Sequence, residues 1–266
     1  MNIQISSLHY YPIKACAGTD LFCGELDARG FKHDRAWMLV DEAGRQLTQR
    51  ELPALALVKP VVGVDDSLTL SAPAKPSLAL PCDLSGAVKK VEVWQDECVG
   101  IDQGDLAAQW FSSFLKRQCR LVLMEKNFER RVDEKRLPDR VFVTGFADGY
   151  PLLLTSIASL AALNQKLPSP VLMNRFRPNI VVDGCAAFEE DSWKRIQINN
   201  IVFRLVKPCA RCQVVCINQE EAVRSQEPLG TLASFRNFDG KVLFGQNLAH
   251  ETPGVLSVGD SVAIIE

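Results

Sequence analysis

The tightest constraint on this chain is how often its first hundred residues turn. Ala36-Trp-Met-Leu-Val-Asp-Glu-Ala-Gly-Arg-Gln-Leu-Thr48 is an apolar run, a turn signal and a second run, and Val61-Val-Gly-Val-Asp-Asp-Ser-Leu-Thr-Leu70 repeats the arrangement. Short hairpins at this spacing predict a barrel or a curled sheet. Pro73, Pro76 and Pro81 interrupt the next stretch. Proline has no N–H to give to a ladder, so that stretch is read as loop or edge strand. Strand-like composition returns from Val91 to Val99.

The period changes at Asp105-Leu-Ala-Ala-Gln-Trp-Phe-Ser-Ser-Phe-Leu-Lys116, where Leu106, Trp110, Phe111, Phe114 and Leu115 fall on one helical stripe and Asp105 is placed to cap it. The charge-dense segment from Glu125 to Arg140 follows and is read as a solvated loop at a domain junction rather than a binding patch. Thr155 to Leu167 reads as a second amphipathic helix, with a hydroxyl at its start and Pro168 at its end. Pro228 to Phe235 reads as a third, with proline in the first turn. Strands are expected at Ile180–Val182, Ile201–Val206, Gln213–Ile217 and within Gly254–Ile265. The expected fold is mostly β, of the α+β class, with a few flanking helices.

Composition removes several classes of function. The 266 residues carry a net charge of −2, are 47% hydrophobic and 23% charged, and so describe a soluble globular chain rather than a disordered one. A near-neutral balance lacks the basic footprint of a nucleic-acid binder. No stretch approaches the roughly 18 consecutive apolar residues of a membrane span. Met-Asn-Ile-Gln-Ile at the start has neither the basic nor the apolar region of an export signal. Nine cysteines, an odd and scattered set, fit reduced thiols in a cytoplasm better than a disulfide framework.

Three of those cysteines fall within eight residues, in Lys207-Pro-Cys-Ala-Arg-Cys-Gln-Val-Val-Cys-Ile-Asn218. If the segment is extended, four residues at about 3.3 Å each hold the Cys212 and Cys216 sulfurs roughly 13 Å apart, too far to share an ion. A closed zinc site needs four ligands and an iron–sulfur cluster usually four cysteines. The chain has no second close pair and only His9, His33 and His250. A Cys209–Cys212 redox pair would lack the helix N-terminus that activates such pairs. There remains a single reactive thiolate at Cys212, favoured by Arg211 beside it and Lys207 nearby, or a purely structural cysteine, and the residues alone leave both open. A thiolate is also a soft ligand, suited to a metal that arrives with an organic cofactor.

Lys207-Pro-Cys-Ala-Arg-Cys212, preceded by Phe176-Arg-Pro-Asn-Ile-Val-Val182 and followed by Phe244-Gly-Gln-Asn247 and Val258-Gly-Asp260, resembles the MOSC domain (molybdenum cofactor sulfurase C-terminal). Tyr11-Pro-Ile-Lys14, Asp34-Arg35 and Thr48-Gln-Arg50 resemble the β-barrel domain that precedes MOSC in the branch holding the mitochondrial amidoxime-reducing component and its bacterial counterparts. Phe146-Ala-Asp-Gly-Tyr-Pro151 is similar to the bacterial form. The resemblance implies an N-terminal β-barrel-like domain at 1–120 and a MOSC β-barrel domain at 121–266.

It further implies the molybdenum cofactor, in which the metal is held by one pterin dithiolene and one protein cysteine. The family's ligand position falls on Cys212, while Cys209 is not the ligand and Cys216 is assigned to packing. Forked donors for pterin and phosphate fall on Lys14, Arg35, Arg177, Asn179 and Arg211, with Arg50 as a further phosphate candidate. Arg35, between Asp34 and the apolar Ala36-Trp37, sits where an unpaired charge is expensive, which favours a bound anion. Asn247 is assigned to the metal's open face. Asp148 is a candidate proton relay, although Asp-Gly is equally a turn signal. Ala15 stands where serine is common.

The implied activity is reduction of N-hydroxylated compounds (amidoximes, hydroxylamines, N-hydroxylated bases) to amines or amidines. Electrons are expected from a separate flavoprotein or iron–sulfur protein, because the chain stops at Glu266 without a Cys-x4-Cys-x2-Cys ferredoxin pattern. Two other classes compete. One is a sulfur carrier that holds a persulfide on Cys212 for metal–sulfur cofactor assembly, which has no need of Lys14 and Arg35. The other is a non-catalytic binding module, which leaves Arg177-Pro-Asn179 and Arg211-Cys212 unexplained. By analogy with other MOSC proteins, pyridoxal phosphate binding is a further association.

Overall fold

Strand-forming segments from both ends of the chain meet in one large sheet. The computed structural model describes residues 2–266 and is built mainly of strands, with helices α1 (Gly104–Leu115), α2 (Ile157–Asn164) and α3 (Leu229–Phe235). The largest sheet runs Thr19–Leu21, Gln4–Tyr10, Ile180–Asp183, Leu152–Ser156, Lys241–His250, Ile201–Ala210, Arg195–Ile198 and Val262–Ile264, with Asn237–Phe238 added on Lys241–His250. Leu152–Ser156 and Ile180–Asp183 pair in parallel, and a parallel step needs a crossover, which α2 supplies. Ser156 caps α2 by accepting the Ser159 N–H at 3.1 Å. The Val262 N–H donates to the Ile3 carbonyl at 2.8 Å and Gln4 bridges Ser261, so the last strand returns to the first and the sheet curls. Ile5, Leu8, Leu154, Ile180, Phe203 and Leu248 fill its buried face.

The rest of the first half forms smaller sheets. Trp37–Val40, Arg120–Met124, Asp96–Asp102 and Val88–Val93 make a four-stranded sheet, and Lys59–Val62, Leu68–Ala72 and Lys75–Leu80 make a meander. They pack with α1 around Leu39, Leu70, Trp110, Phe111 and Leu121. The mostly β fold expected from the turns is what forms. The proline-interrupted stretch is the meander's edge strand, where the Pro76 carbonyl accepts the Trp110 indole N–H at 2.8 Å.

Three details differ from the sequence reading. The buried stripe of α1 is Ala107, Trp110, Phe111, Phe114 and Leu115, at i, i+3, i+4, i+7 and i+8, which leaves Leu106 66% exposed on its flank. Asp102, not Asp105, satisfies the helix start, accepting the Gly104 N–H at 2.9 Å. Gln213–Cys216 is a 3-10 turn and not a strand, closed by the Val215 N–H to the Cys212 carbonyl and the Ile217 N–H to the Val214 carbonyl. The reason is packing: Val215, Cys216 and Ile217 are all buried, and a strand would send neighbours to opposite faces.

A division at 1–120 and 121–266 cuts across shared sheets. Gln4–Tyr10 belongs to the nine-stranded sheet, and Cys23–Asp27 pairs with Gly254–Ser257. Arg120–Met124, which straddles that boundary, lies inside the four-stranded sheet.

Candidate active site

The strand Ile201–Ala210 loses its regular ladder at Pro208, which has no N–H, and register shifts lie on either side of it. The chain then leaves the sheet, and Cys212 opens the Gln213–Cys216 turn with its side chain exposed. Cys212 borders a cleft of about 170 Å³. All nine residues singled out from the sequence line it: Lys14, Arg35, Arg50, Asp148, Arg177, Asn179, Arg211, Cys212 and Asn247. Gly245 keeps the strand beneath Asn247 close to its neighbour, because at φ +77° a Cβ there would lie 2.7 Å from the Leu154 carbonyl oxygen.

The lining holds five cationic side chains and one carboxylate, in a chain of net charge −2. Lys14, 6% exposed, donates to Asp148 Oδ1 at 2.6 Å and to the Phe146 carbonyl at 2.7 Å. Burial pushes the Lys14 ammonium down, and Asp148 opposes that shift. Asp148 opens onto the cleft, with its side chain 76% exposed. Burial alone would raise its carboxyl, but the Lys14 charge and hydrogen bonds from Lys14 and the Trp94 indole hold it well below the usual carboxylate range. The same contact makes Asp148 the counter-charge of Lys14 at the mouth of the cleft.

Arg35 is not the unpaired charge that its sequence neighbours suggested. One nitrogen, Nη1, donates to both oxygens of buried Asp34, at 2.8 and 2.6 Å, and to Asn179 Oδ1 at 3.1 Å. The unpaired cations are Arg50, Arg177 and Arg211, none of which meets a carboxylate among the described residues. Arg211 turns away from Cys212: it donates to Cys209 Sγ at 3.0 Å and to the Phe176 carbonyl at 2.7 Å, and its buried Nε has no partner. Lys207 points elsewhere too, over the Tyr150 ring. Arg177 has one long contact, 3.5 Å to Gln219 Oε1, and burial pushes its guanidinium down. Asn247 donates to the Lys207 carbonyl at 3.3 Å. Cys216 is buried, its thiol directed to the Gln226 carbonyl, and among the described residues no three His, Cys, Asp or Glu converge as a metal site.

Several residues that shape the cleft were not singled out from the sequence. The buried Tyr11 ring carries both the Arg35 and the Arg177 guanidinium, at 4.1 and 4.2 Å from its centroid. Gly18 leaves room for that ring, since a Cβ would lie 2.4 Å from it. Gln49 ties Ala15 to Gln219. Trp94 stands at a hairpin tip with Arg50 stacked 4.3 Å from its ring. Arg130, expected in a solvated loop, is 4% exposed and holds Asp96 together with the Gly145 and Ala147 carbonyls. Tyr11 and Gln49 lie inside quoted motifs, which was their signal; Arg130 had none.

The MOSC N-terminal beta barrel domain matches residues 2–118 and the MOSC domain residues 143–263. Together with the sheets and the cleft they share, these define a two-part MOSC protein. Mitochondrial amidoxime reducing component 2 of Bos taurus is 38% identical over 276 residues, covering 97% of this chain and 82% of that protein. Mitochondrial amidoxime-reducing component 1 of Homo sapiens is 36% identical over 282 residues, covering 98% and 82%. Molybdenum cofactor sulfurase 1 of Aedes aegypti is 34% identical over 267 residues, covering 94% of this chain but 34% of that protein. The chain belongs to the MOSC-domain family that includes the mitochondrial amidoxime-reducing components. No helix among the described residues is long and apolar enough to cross a membrane.

Proposed function

We propose that this chain is a molybdenum-cofactor-dependent reductase of N-hydroxylated compounds that takes its electrons from a separate protein. One observation carries the reading: an exposed thiol borders a cleft into which Arg50, Arg177 and Arg211 bring charge with no protein carboxylate to meet it. The donor set fits a group that is anionic, edged with acceptors and armed with a soft metal. Cys212 would hold the metal, and Arg50, Arg177 and Arg211 would hold the phosphate and pterin edges. Bound there, the cofactor supplies the two-electron chemistry that breaks an N–O bond.

The chain's own residues do the positioning. Leu152, Leu153, Phe176, Val214 and Val215 give the cleft apolar walls that limit water. Asn247 keeps one amide N–H beyond its bond to Lys207, for a substrate oxygen. Asp148 fixes Lys14. Overall, two electrons and two protons convert the N-hydroxylated compound to amine or amidine plus water. A reducing compartment, the cytoplasm in our reading, keeps Cys212 a thiol. Pyridoxal phosphate has less support, because the lysine that lines the cleft, Lys14, is engaged by Asp148 and Phe146.

A second reading, a sulfur carrier with a persulfide on Cys212, is favoured by the sulfurase relative and by the exposure of that thiol. One preparation separates the two. The protein is purified from a host that makes the cofactor, and molybdenum per chain is measured for wild type and Cys212→Ala, with intact mass for an added sulfur. Stoichiometric molybdenum lost in Cys212→Ala, with amidoxime reduction driven by reduced methyl viologen, supports the reductase. Background molybdenum in wild type rejects it, and an added sulfur on Cys212 then selects the carrier.

A further inference from the structure

One residue at the mouth of the cleft breaks a backbone rule. Trp94 and Gln95 form a two-residue hairpin loop between the paired Val93 and Asp96, and Trp94 sits there at φ +58°. Loops of this kind take glycine, asparagine or aspartate at such a position, because a Cβ crowds the following carbonyl. A tryptophan that is 45% exposed and lines the cleft is the opposite choice. Strain kept at the edge of a site points to a task there. The indole Nε1 donates to Asp148 Oδ1 at 3.0 Å, and Asp148 is held in turn by Lys14. The foot of the same hairpin is fixed too: Asp96 accepts from Arg130, which also holds the Gly145, Ala147 and Asp148 carbonyls. Both ends of the Trp94–Asp148 bond are therefore tied to one buried arginine. What the ring carries is Arg50, its guanidinium 4.3 Å from the centroid.

We propose that Trp94 is a positioning residue for the cofactor and acts through Arg50, presetting that guanidinium for the phosphate. The inference rests on the reading of the cleft as the cofactor site. Arg50 lines the cleft and meets no carboxylate among the described residues. Its backbone carbonyl is taken by the Arg224 guanidinium, which fixes the base of the side chain. An exposed arginine that grips an anion loses rotamer entropy on doing so, and one already laid on a fixed ring loses less. Contact through the guanidinium face leaves its N–H donors for oxygen, and tryptophan is the strongest aromatic partner for such a face. Glycine would suit that backbone; tryptophan suits the arginine.

The test uses the full chain purified with its molybdenum cofactor and follows molybdenum per chain during dialysis. Trp94→Gly is expected to release molybdenum about tenfold faster than wild type. Its melting temperature stays within about 2 °C, because glycine relieves the strain and so offsets the lost contacts. Trp94→Phe, which keeps a ring, stays within about threefold of wild type. Arg50→Ala releases as fast as Trp94→Gly, and the double variant no more than about twofold faster than either. The proposal is overturned if Trp94→Gly releases at the wild-type rate, if Trp94→Phe is as impaired as Trp94→Gly, or if the two effects multiply in the double variant. It is also overturned if Trp94→Gly melts more than about 5 °C below wild type while Arg50→Ala keeps its metal, which would make the tryptophan a structural residue only. A wild type without molybdenum removes the cofactor reading, and the metal-free chain then decides the clamp by titration with inorganic phosphate. Affinity reduced about fivefold in either single variant, and no further in the double, leaves Trp94 as the support of an anion-binding arginine. Equal affinity in all four proteins overturns it.

Discussion

Tyr11→Phe removes one hydroxyl from beneath two arginines, and its effect on stability should change sign with pH. Near neutrality it loses the O–H bond to the Pro178 carbonyl, 3.1 Å long, at a cost of about 1 kcal/mol. Burial pushes the phenol from 10.0 up to about 12, and the neighbouring Arg177 and Arg35 offset part of that rise. A raised folded-state pKa gives stability that is fully present below the unfolded value and is lost as pH rises through the folded one. Wild type therefore weakens across the window from about pH 10 to 12. Linkage puts the loss at about 1 kcal/mol by pH 11 and about 2 kcal/mol by pH 12. Phenylalanine does not ionise, and other alkaline groups are common to both proteins. The two stability curves should cross between about pH 10 and 11, with Phe the more stable above. Urea denaturation followed by tryptophan fluorescence at pH 8, 10 and 11 measures the difference directly. A difference constant to within about 0.5 kcal/mol across that range would refute the sealed phenol, and with it the ring as a fixed support for Arg35 and Arg177.

Asp34→Asn leaves the Arg35 guanidinium without its carboxylate in a largely buried site, and should cost about 3 kcal/mol in urea denaturation. Arg130→Ala should cost a similar amount, about 3 kcal/mol, and should speed amide exchange around residues 145–148, where it holds the Gly145, Ala147 and Asp148 carbonyls. Cys212→Ala, at an exposed position, should leave stability within about 0.5 kcal/mol while molybdenum per chain falls to background; metal and denaturation are read on one preparation.

What could be read from the sequence was local or carried by motifs. Turn chemistry and alternating apolar runs gave the hairpins, and proline placed Lys75–Leu80 at an edge, because both follow from backbone rules that act over a few residues. The Gln213–Cys216 turn was missed because its β-branched run suits a strand until Phe176, Leu232 and Phe244 are there to bury consecutive residues. Arg130 in a charge-dense run looks solvated, and only the fold brings Asp96 and the Gly145, Ala147 and Asp148 carbonyls around it. The interleaving of Gln4–Tyr10 with strands near residues 180 and 261 is a long-range pairing that no local signal encodes.

Asn179 shows why position and role are separate questions. Resemblance marks it as a cofactor contact, and it does line the cleft. Its side chain, however, accepts from Arg35 at 3.1 Å and from the Leu153 N–H at 3.2 Å, and donates to the His9 carbonyl at 3.1 Å. Its backbone repeats the connection, donating to the Leu153 carbonyl and accepting from the His9 N–H. One 1%-exposed residue thus joins two strands of the nine-stranded sheet and fixes the arginine beside them. Arg35 is also bound to Asp34 and set on Tyr11, so the cation is placed by the first part of the chain and oriented by the second. The cleft can assemble only when both have folded together. A substitution at Asn179 would therefore act on any anion through Arg35, and would also strain the sheet, whereas one at Arg177, whose nearest polar contact is 3.5 Å away, would act on the anion directly.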